Sequence, residues 1–236
     1  MKQTICFLVL ASCFAACSSS NAKGQKFSGA AGNPKSMKYY FYDNDVEEQR
    51  YGSAYYQFNE LGLIEKEVVY DSEENEFYSQ IYTYKDGKCI EIKLFYRHYD
   101  ETVTTLKNRT SKSEVWESKK TDGQTETTYK EVKKRKTTKV IKDFDGIIKS
   151  ETEETSDKNG NITEYKISHN GEIFLWYKST FDDKSQIIEK EVISGSGEGI
   201  YTYKYDSFDE KGNWTKKIEY NKNGEIQSLT IREIKY

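Results

Sequence analysis

Residues 201–225 read YTYKYDSFDEKGNWTKKIEYNKNGE, and this stretch decides the fold. Tyr201, Tyr203 and Tyr205 alternate with Thr202 and Lys204, the period of two that a half-buried strand imposes. The run FDEKGNW at 208–214 breaks the alternation, and Asn223-Gly224 breaks it again. Asn-Gly and Asp-Gly suit two-residue hairpin loops because both residues tolerate positive φ. The stretch therefore predicts strand, turn, strand, turn, with neighbours antiparallel.

The same punctuation recurs outward along the chain. Asp86-Gly87, Asp122-Gly123, Asp145-Gly146 and Asn170-Gly171 are further hairpin signals. FNELGLI at 58–64, FDDKSQI at 181–187, FDEKGNW at 208–214 and YNKNGEI at 220–226 share one grammar: an apolar residue, Gly or Ser four later, another apolar residue six later. SDKNGNI at 156–162 carries the same turn. No long stretch has apolar residues at helical spacing. Units this short can bury a face only against their neighbours. The expected fold over 37–236 is all-β, an antiparallel meander of successive hairpins, curved or partly single-layer. Whether the sheet closes into a barrel is left open.

Pairing residues about the predicted turns gives testable registers. Ile81 would face Ile92 and Phe77 would face Tyr96 around Asp86-Gly87; Tyr165 would face Trp176 around Asn170-Gly171; Trp116 would face Tyr129 around Asp122-Gly123; and Ile218 would face Leu229 around Asn223-Gly224. Residues 105–138 are mostly Ser, Thr, Lys and Glu, which predicts a solvated, extended part of the sheet with little buried surface.

On these residues, above all 201–225, the chain resembles the YD or RHS-type repeats of bacterial envelope and secreted proteins, and short lipoproteins carrying degenerate copies of them. The likeness is good over 201–236, fair over 55–96 and 156–193, and poor over 97–140. It implies a β-repeat sheet in the cell envelope and no catalytic residues.

The N-terminus, MKQTICFLVLASCFAA, has one Lys, an apolar run too short to span a bilayer, and small residues before Cys17. FAAC resembles a bacterial lipobox, so residues 1–16 read as a lipoprotein signal and Cys17 as the acylated residue; LASC, ending at Cys13, is the competing site. Residues 17–36 are rich in Ser, Gly and Ala and read as a lipid-anchored flexible tether. Cys6 and Cys13 leave with the signal and Cys17 carries lipid, so Cys89 stays alone without a disulfide partner.

Composition narrows the function classes. The chain has 236 residues, 32% of them charged, with a net charge of −3 that gives no global field for nucleic acid. Its two His, His98 and His169, have no second ligand at metal spacing, and no cofactor motif is present. The pairs Glu65/Glu67 and Glu189/Glu191 invite a glycosidase reading, but recurrence in a strand repeat suits an exposed, salt-bridging face better. The run Lys130, Lys133, Lys134, Arg135, Lys136, Lys139, Lys142 reads either as a patch for anionic glycan or lipid headgroups or as a paired, solvated face. Tyr201, Tyr203, Tyr205, Trp214 and Tyr220 form the densest aromatic set, suited to sugar or peptide contact and equally to a sheet core.

The sequence-level expectation is a non-catalytic, lipid-anchored envelope protein at the outer membrane, periplasm-facing or surface-exposed. Its β-repeat domain would bind or scaffold a glycan, peptide or envelope protein. Two alternatives stand beside it: a glycan-active hydrolase using a carboxylate pair, and a purely structural repeat segment. The only membrane contact expected is through the lipid.

Overall fold

The computed structural model describes residues 30–43, 50–97, 99–143, 145–195 and 197–236. The signal segment, Cys17, most of the tether and His98 lie outside the described residues. The described chain is all-β. Its first eight strands are β1 (Ser36–Asp43), β2 (Arg50–Phe58), β3 (Ile64–Asp71), β4 (Glu76–Lys85), β5 (Lys88–Tyr96), β6 (Tyr99–Arg109), β7 (Ser113–Lys120) and β8 (Thr125–Lys133). The rest are β9 (Lys136–Asp143), β10 (Ile148–Ser156), β11 (Ile162–His169), β12 (Glu172–Phe181), β13 (Ile187–Ser194), β14 (Gly197–Phe208), β15 (Trp214–Asn221) and β16 (Ile226–Lys235). Each pairs antiparallel with its neighbours in sequence, and β1 pairs with β16 from Ser36↔Lys235 to Asp43↔Ser228, closing a barrel. Among the described residues each strand's backbone approaches only its two neighbours in the ring, so opposing walls stand apart. Rings of about sixteen strands leave a lumen for that reason.

The repeat grammar is a turn with a specific lock. Seven turns open on an Asx residue, Asn59, Asp71, Asp143, Asp157, Asp182, Asp209 and Asn221, five of them after an aromatic residue. The Asx side-chain oxygen accepts the backbone N–H groups two and four residues on, as Asp209 does from Lys211 at 2.9 Å and Asn213 at 2.8 Å. The residue three on takes positive φ, which explains the Gly there; Ser185 and Glu74 hold it at φ 62° and 63°. Asp145-Gly146 and Asn223-Gly224 therefore sit inside these longer loops. Asp86-Gly87 and Asn170-Gly171 do form the expected two-residue loops, both residues at positive φ.

Registers expected from symmetric pairing fail where a bulge follows a two-residue loop or where a longer loop lacks one, and hold where the longer loop and a bulge offset each other, as at Asn221–Glu225. Ile218↔Leu229 is found as expected. A bulge between Thr83 and Tyr84 instead sets Tyr82 opposite Ile92 and Tyr78 opposite Tyr96. Tyr165 meets Tyr177, not Trp176, and Trp116 meets Thr128, not Tyr129. A one-residue slip moves every side chain to the other face, so bulges and loop lengths together decide which aromatics point inward.

The inner face follows from the buried cluster of Met37, Tyr39, Ala54, Phe58, Val69, Tyr78 and Tyr82. Register carries that face from Tyr39 through Ala54, Val69 and Tyr78 to Tyr96, and in the other direction from Tyr39 to Arg232. The alternate positions form the outer wall. Ser53, Val68 and Leu229 are buried there because larger neighbours flank them, Ser53 lying between Tyr40 and Tyr70.

Residues 105–138 correct an expectation. They are staves of the closed wall, with Trp116 only 6% exposed and Glu114 buried beside Lys130 at 3.3 Å. Polar inner residues pair with each other across the sheet, so apolar content was a poor guide to burial here. The segment just before β1 is also ordered against the rim. The Ala31 N–H donates to the Asn213 side chain at 2.6 Å, and the Lys35 N–H donates to the Lys235 carbonyl at 2.7 Å.

Candidate functional site

The lumen wall is the surface that brings charged and aromatic side chains together. On β14 the alternation points Tyr201, Tyr203 and Tyr205 inward, while Thr202 and Lys204 are exposed on the outside. Tyr205 lies opposite Lys217 and Tyr203 opposite Glu219 on β15; Lys217 lies opposite Thr230 on β16; Lys190 on β13 lies opposite Tyr201. Arg232 on β16 faces Tyr39 on β1. Five adjacent staves thus present three cations and two carboxylates, Glu219 and, at the end of β1, Asp43, to the same side.

The cations rest on rings. The Lys190 amine lies 4.1 Å from the centre of the Tyr177 ring, and the Lys217 amine lies 5.4 Å from Tyr203 and 5.7 Å from Trp214. The Arg232 guanidinium stacks 3.9 Å from Trp214 and donates from Nε to the Trp214 carbonyl at 2.8 Å. Tyr205 and Tyr39 pack against the same indole, 5.6 Å and 6.1 Å away. Contacts of this kind contribute roughly 0.5–2 kcal/mol each, the larger values when desolvated.

Electrostatics report how enclosed the cluster is. Burial pulls the Lys190 amine down to about 8, against the attraction of Glu219 and with the repulsion of Lys217. Burial likewise lowers Lys217, which Glu219 opposes and Arg232 reinforces. Tyr203 is pushed far up by burial and by the charge of Glu219, and Tyr205 is raised by burial and Asp182. By area, however, both lysines and all three tyrosines keep partial exposure. A wall residue that is surrounded by protein yet touched by solvent faces a wet lumen.

Sites expected from sequence are distributed differently. Tyr201, Tyr203, Tyr205 and Trp214 come together, but Tyr220 pairs with Thr202 and points outward, so it leaves the set. The basic run is split by alternation. Lys130 and Lys139 turn inward to Glu114 and Glu154, at 3.3 and 3.4 Å, while Lys133 and Lys136 pair outside with Glu131 and Glu153 at 3.1 and 2.6 Å. It is not one patch. Glu67 is fully buried and accepts the hydroxyls of Tyr78 at 2.9 Å and Tyr82 at 3.3 Å, whereas Glu65 is exposed; Glu189 and Glu191 are both exposed on the outer wall. Cys89 is half-buried, its thiol near the Glu91 carbonyl at 3.6 Å. His169 Nδ1 lies 3.0 Å from the Lys149 carbonyl in an exposed turn. Lys190, Lys217 and Arg232 were not singled out from sequence. Their signal was weak, a Lys or Arg at the inward parity of strands rich in Tyr.

Among the described residues no group of three His, Cys, Asp or Glu could hold a metal ion. The architecture is that of a closed antiparallel barrel with a polar, aromatic lumen. No family model matches the sequence, and no curated protein does. Among solved structures the chain is similar to a porin-like protein from Bacteroides uniformis, with a TM-score of 0.54 over 87% of this chain and 99% of that one. Identity is 14%, so the likeness is one of fold.

Closure and this likeness overturn the functional expectation drawn from sequence. An open YD/RHS-type scaffold displays sheet faces and edges, and this ring has no free edge. Neither the glycan hydrolase nor the purely structural repeat segment is favoured by a closed, porin-like barrel. The fold is a closed sixteen-strand antiparallel barrel, similar in architecture to that porin-like protein.

Proposed function

We propose that this chain is an envelope barrel, porin-like in fold, whose lumen is its working surface as a chamber for a small solute and whose outer wall faces water. The observation that carries the reading is the outer face of β10 and β11. Glu151, Glu153, Thr155, Glu164, Lys166 and Ser168 are outward there and none is apolar; the apolar Ile148, opposite outward Lys142 and 42% exposed, stands only at the turn end of β10. A Lys or Arg on the lipid face of a membrane barrel costs about 2–4 kcal/mol at the midplane. Outward Lys38, Lys93, Lys107, Lys142, Lys178 and Lys204 repeat that cost around the ring. Such a wall is stable in water and costly in hydrocarbon. The likeness to a porin-like protein fits an outer-membrane or envelope address, and the lipobox-like FAAC supplies attachment through acylated Cys17 without a spanning wall. Two or more acyl chains hold a protein stably at a bilayer.

Fractionation tests both parts. The native chain is expected with membranes, carrying a lipid-modified N-terminal Cys17 by mass spectrometry. With residues 1–17 replaced by an ordinary secretion signal, the barrel is expected in the soluble fraction, folded without detergent. A modified Cys13 would move the anchor, and an unmodified terminus would remove it. A secreted barrel that folds only in detergent would overturn the water-facing wall.

A further inference from the structure

We propose that Lys190, Lys217 and Arg232 form an anion site on the lumen wall that takes the carboxylate or phosphoryl group of a small acidic solute. The inference rests on the chamber reading above and names the ligand class for it. Three observations converge. First, neither Lys190 nor Lys217 has a carboxylate at ion-pair distance among the described residues; their close contacts are the rings of Tyr177, Tyr203 and Trp214. Enclosed ammonium groups are costly to leave without a counter-charge. Second, the opposite side of the same barrel shows what a structural solution looks like. Lys130 and Lys139 are each matched to a buried carboxylate, Glu114 and Glu154, and Arg109 adds a 2.7 Å bond to Glu114. On β13–β16 three cations face one carboxylate, Glu219, which both lysines feel and which Tyr203 also contacts. Third, Lys190 and Lys217 keep partial exposure on the lumen side, while Arg232, only 3% exposed, is held against Trp214. Trp214 is clamped by Tyr39, Tyr205 and Arg232, so the cations it carries are pre-positioned and little ordering is left for binding.

Glu219 then has a defined role. It lowers the repulsion among the cations while the site is empty, and it competes with an incoming anion. A visiting carboxylate or phosphate is held between Lys217 and Lys190, with the buried Arg232 adding positive charge from behind Trp214.

The test is calorimetric titration of the full-length protein at low ionic strength with inorganic phosphate and with glucuronate. Glucose and free lysine serve as a neutral and a cationic control. Saturable heat is expected with both anions and none with either control, the stronger anion separating a phosphoryl from a carboxylate preference. Lys217→Met should weaken binding by about tenfold or more, a change worth ~1.4 kcal/mol. Glu219→Gln should tighten it, an outcome no folding defect can imitate. Lys204→Met on the outer wall should leave it unchanged. No anion heat, or equal affinity in the Glu219→Gln and Lys217→Met variants, would overturn the site. That failure is distinct from failure of the chamber reading, which shows instead as a secreted barrel requiring detergent.

Discussion

At the residue scale the lumen cations carry a pH signature. Lys190 sits over Tyr177, opposite Ser179 and Tyr201, near Glu219 and Lys217, and burial holds it at about 8. In the unfolded chain a lysine titrates near ~10.4. Between these values the unfolded chain binds a proton that the barrel has shed, so stability rises with pH across that window. Burial raises Tyr177 and Tyr203, which acts the other way, because above about 10 the unfolded tyrosines ionise while the folded ones keep their protons. The midpoint of urea unfolding should therefore climb from about pH 8 to pH 10 and then fall. Lys190→Met should flatten the climb, the lowered Lys217 and Lys130 keeping part of it, and leave the fall. Equal slopes in both proteins would show that Lys190 is not enclosed as described. None of this was legible in the sequence. Lys190 and Lys204 look alike there, and only the parity of their strands separates a lumen cation from a solvated one.

At the element scale the turns carry the fold, and here the sequence was most informative. The spacing of FNELGLI, SDKNGNI, FDDKSQI, FDEKGNW and YNKNGEI located the loops, because a locked turn needs Asx at its start and a residue tolerant of positive φ three later. Bulges and loop lengths left no comparable mark: a bulge beside Asn170-Gly171 shifts the partner of Tyr165, and a loop longer than two residues at Asp122-Gly123, without a bulge, shifts that of Trp116. In Asp71, Asp157 and Asp209 burial is the largest single influence and raises the carboxyl, but backbone and Asn side-chain donors, with Tyr236 at Asp209, together outweigh it and the net shift is down. A carboxyl lowered by folding stabilises above its unfolded value and loses that contribution as pH falls through the folded one. Asp157→Ala should cost roughly 1–2 kcal/mol at pH 7, since its Oδ1 accepts the Asn159 and Asn161 N–H groups. Asp157→Asn keeps that acceptor, as Asn59 and Asn221 do at their own turns, and does not titrate. It should match the parent at pH 7 and lose less stability at pH 3. Denaturant midpoints at the two pH values decide it, and an Asn variant as acid-sensitive as the parent would refute the turn's role.

At the scale of the whole molecule the decisive feature is the seam between β1 and β16. Local alternation and turn chemistry are the same in an open meander and in a ring, so closure could not be read from any segment. It depends on the summed stagger of all the strands and on the first and last being complementary. That complementarity is visible once the seam is known: Met37 meets Ile234 and Tyr39 meets Arg232 on the inside, and Tyr40 meets Ile231 on the outside. The seam is testable because Tyr40 and Ile231 are 191 positions apart in the chain yet directly paired. Opposed residues on antiparallel strands have Cα atoms roughly 4.5–5.5 Å apart, within the span a disulfide accepts. Tyr40→Cys with Ile231→Cys, in a secreted Cys89→Ser background lacking Cys17, should form an intramolecular disulfide on mild oxidation. It should run as a monomer on non-reducing gels and melt higher than its reduced form, because the bridge closes almost the entire chain. Moving the second cysteine to Lys204, three strands round the wall from Tyr40, should abolish the bridge. In an open sheet β1 and β16 would lie at opposite edges, and the oxidised 40/231 pair would give only intermolecular products.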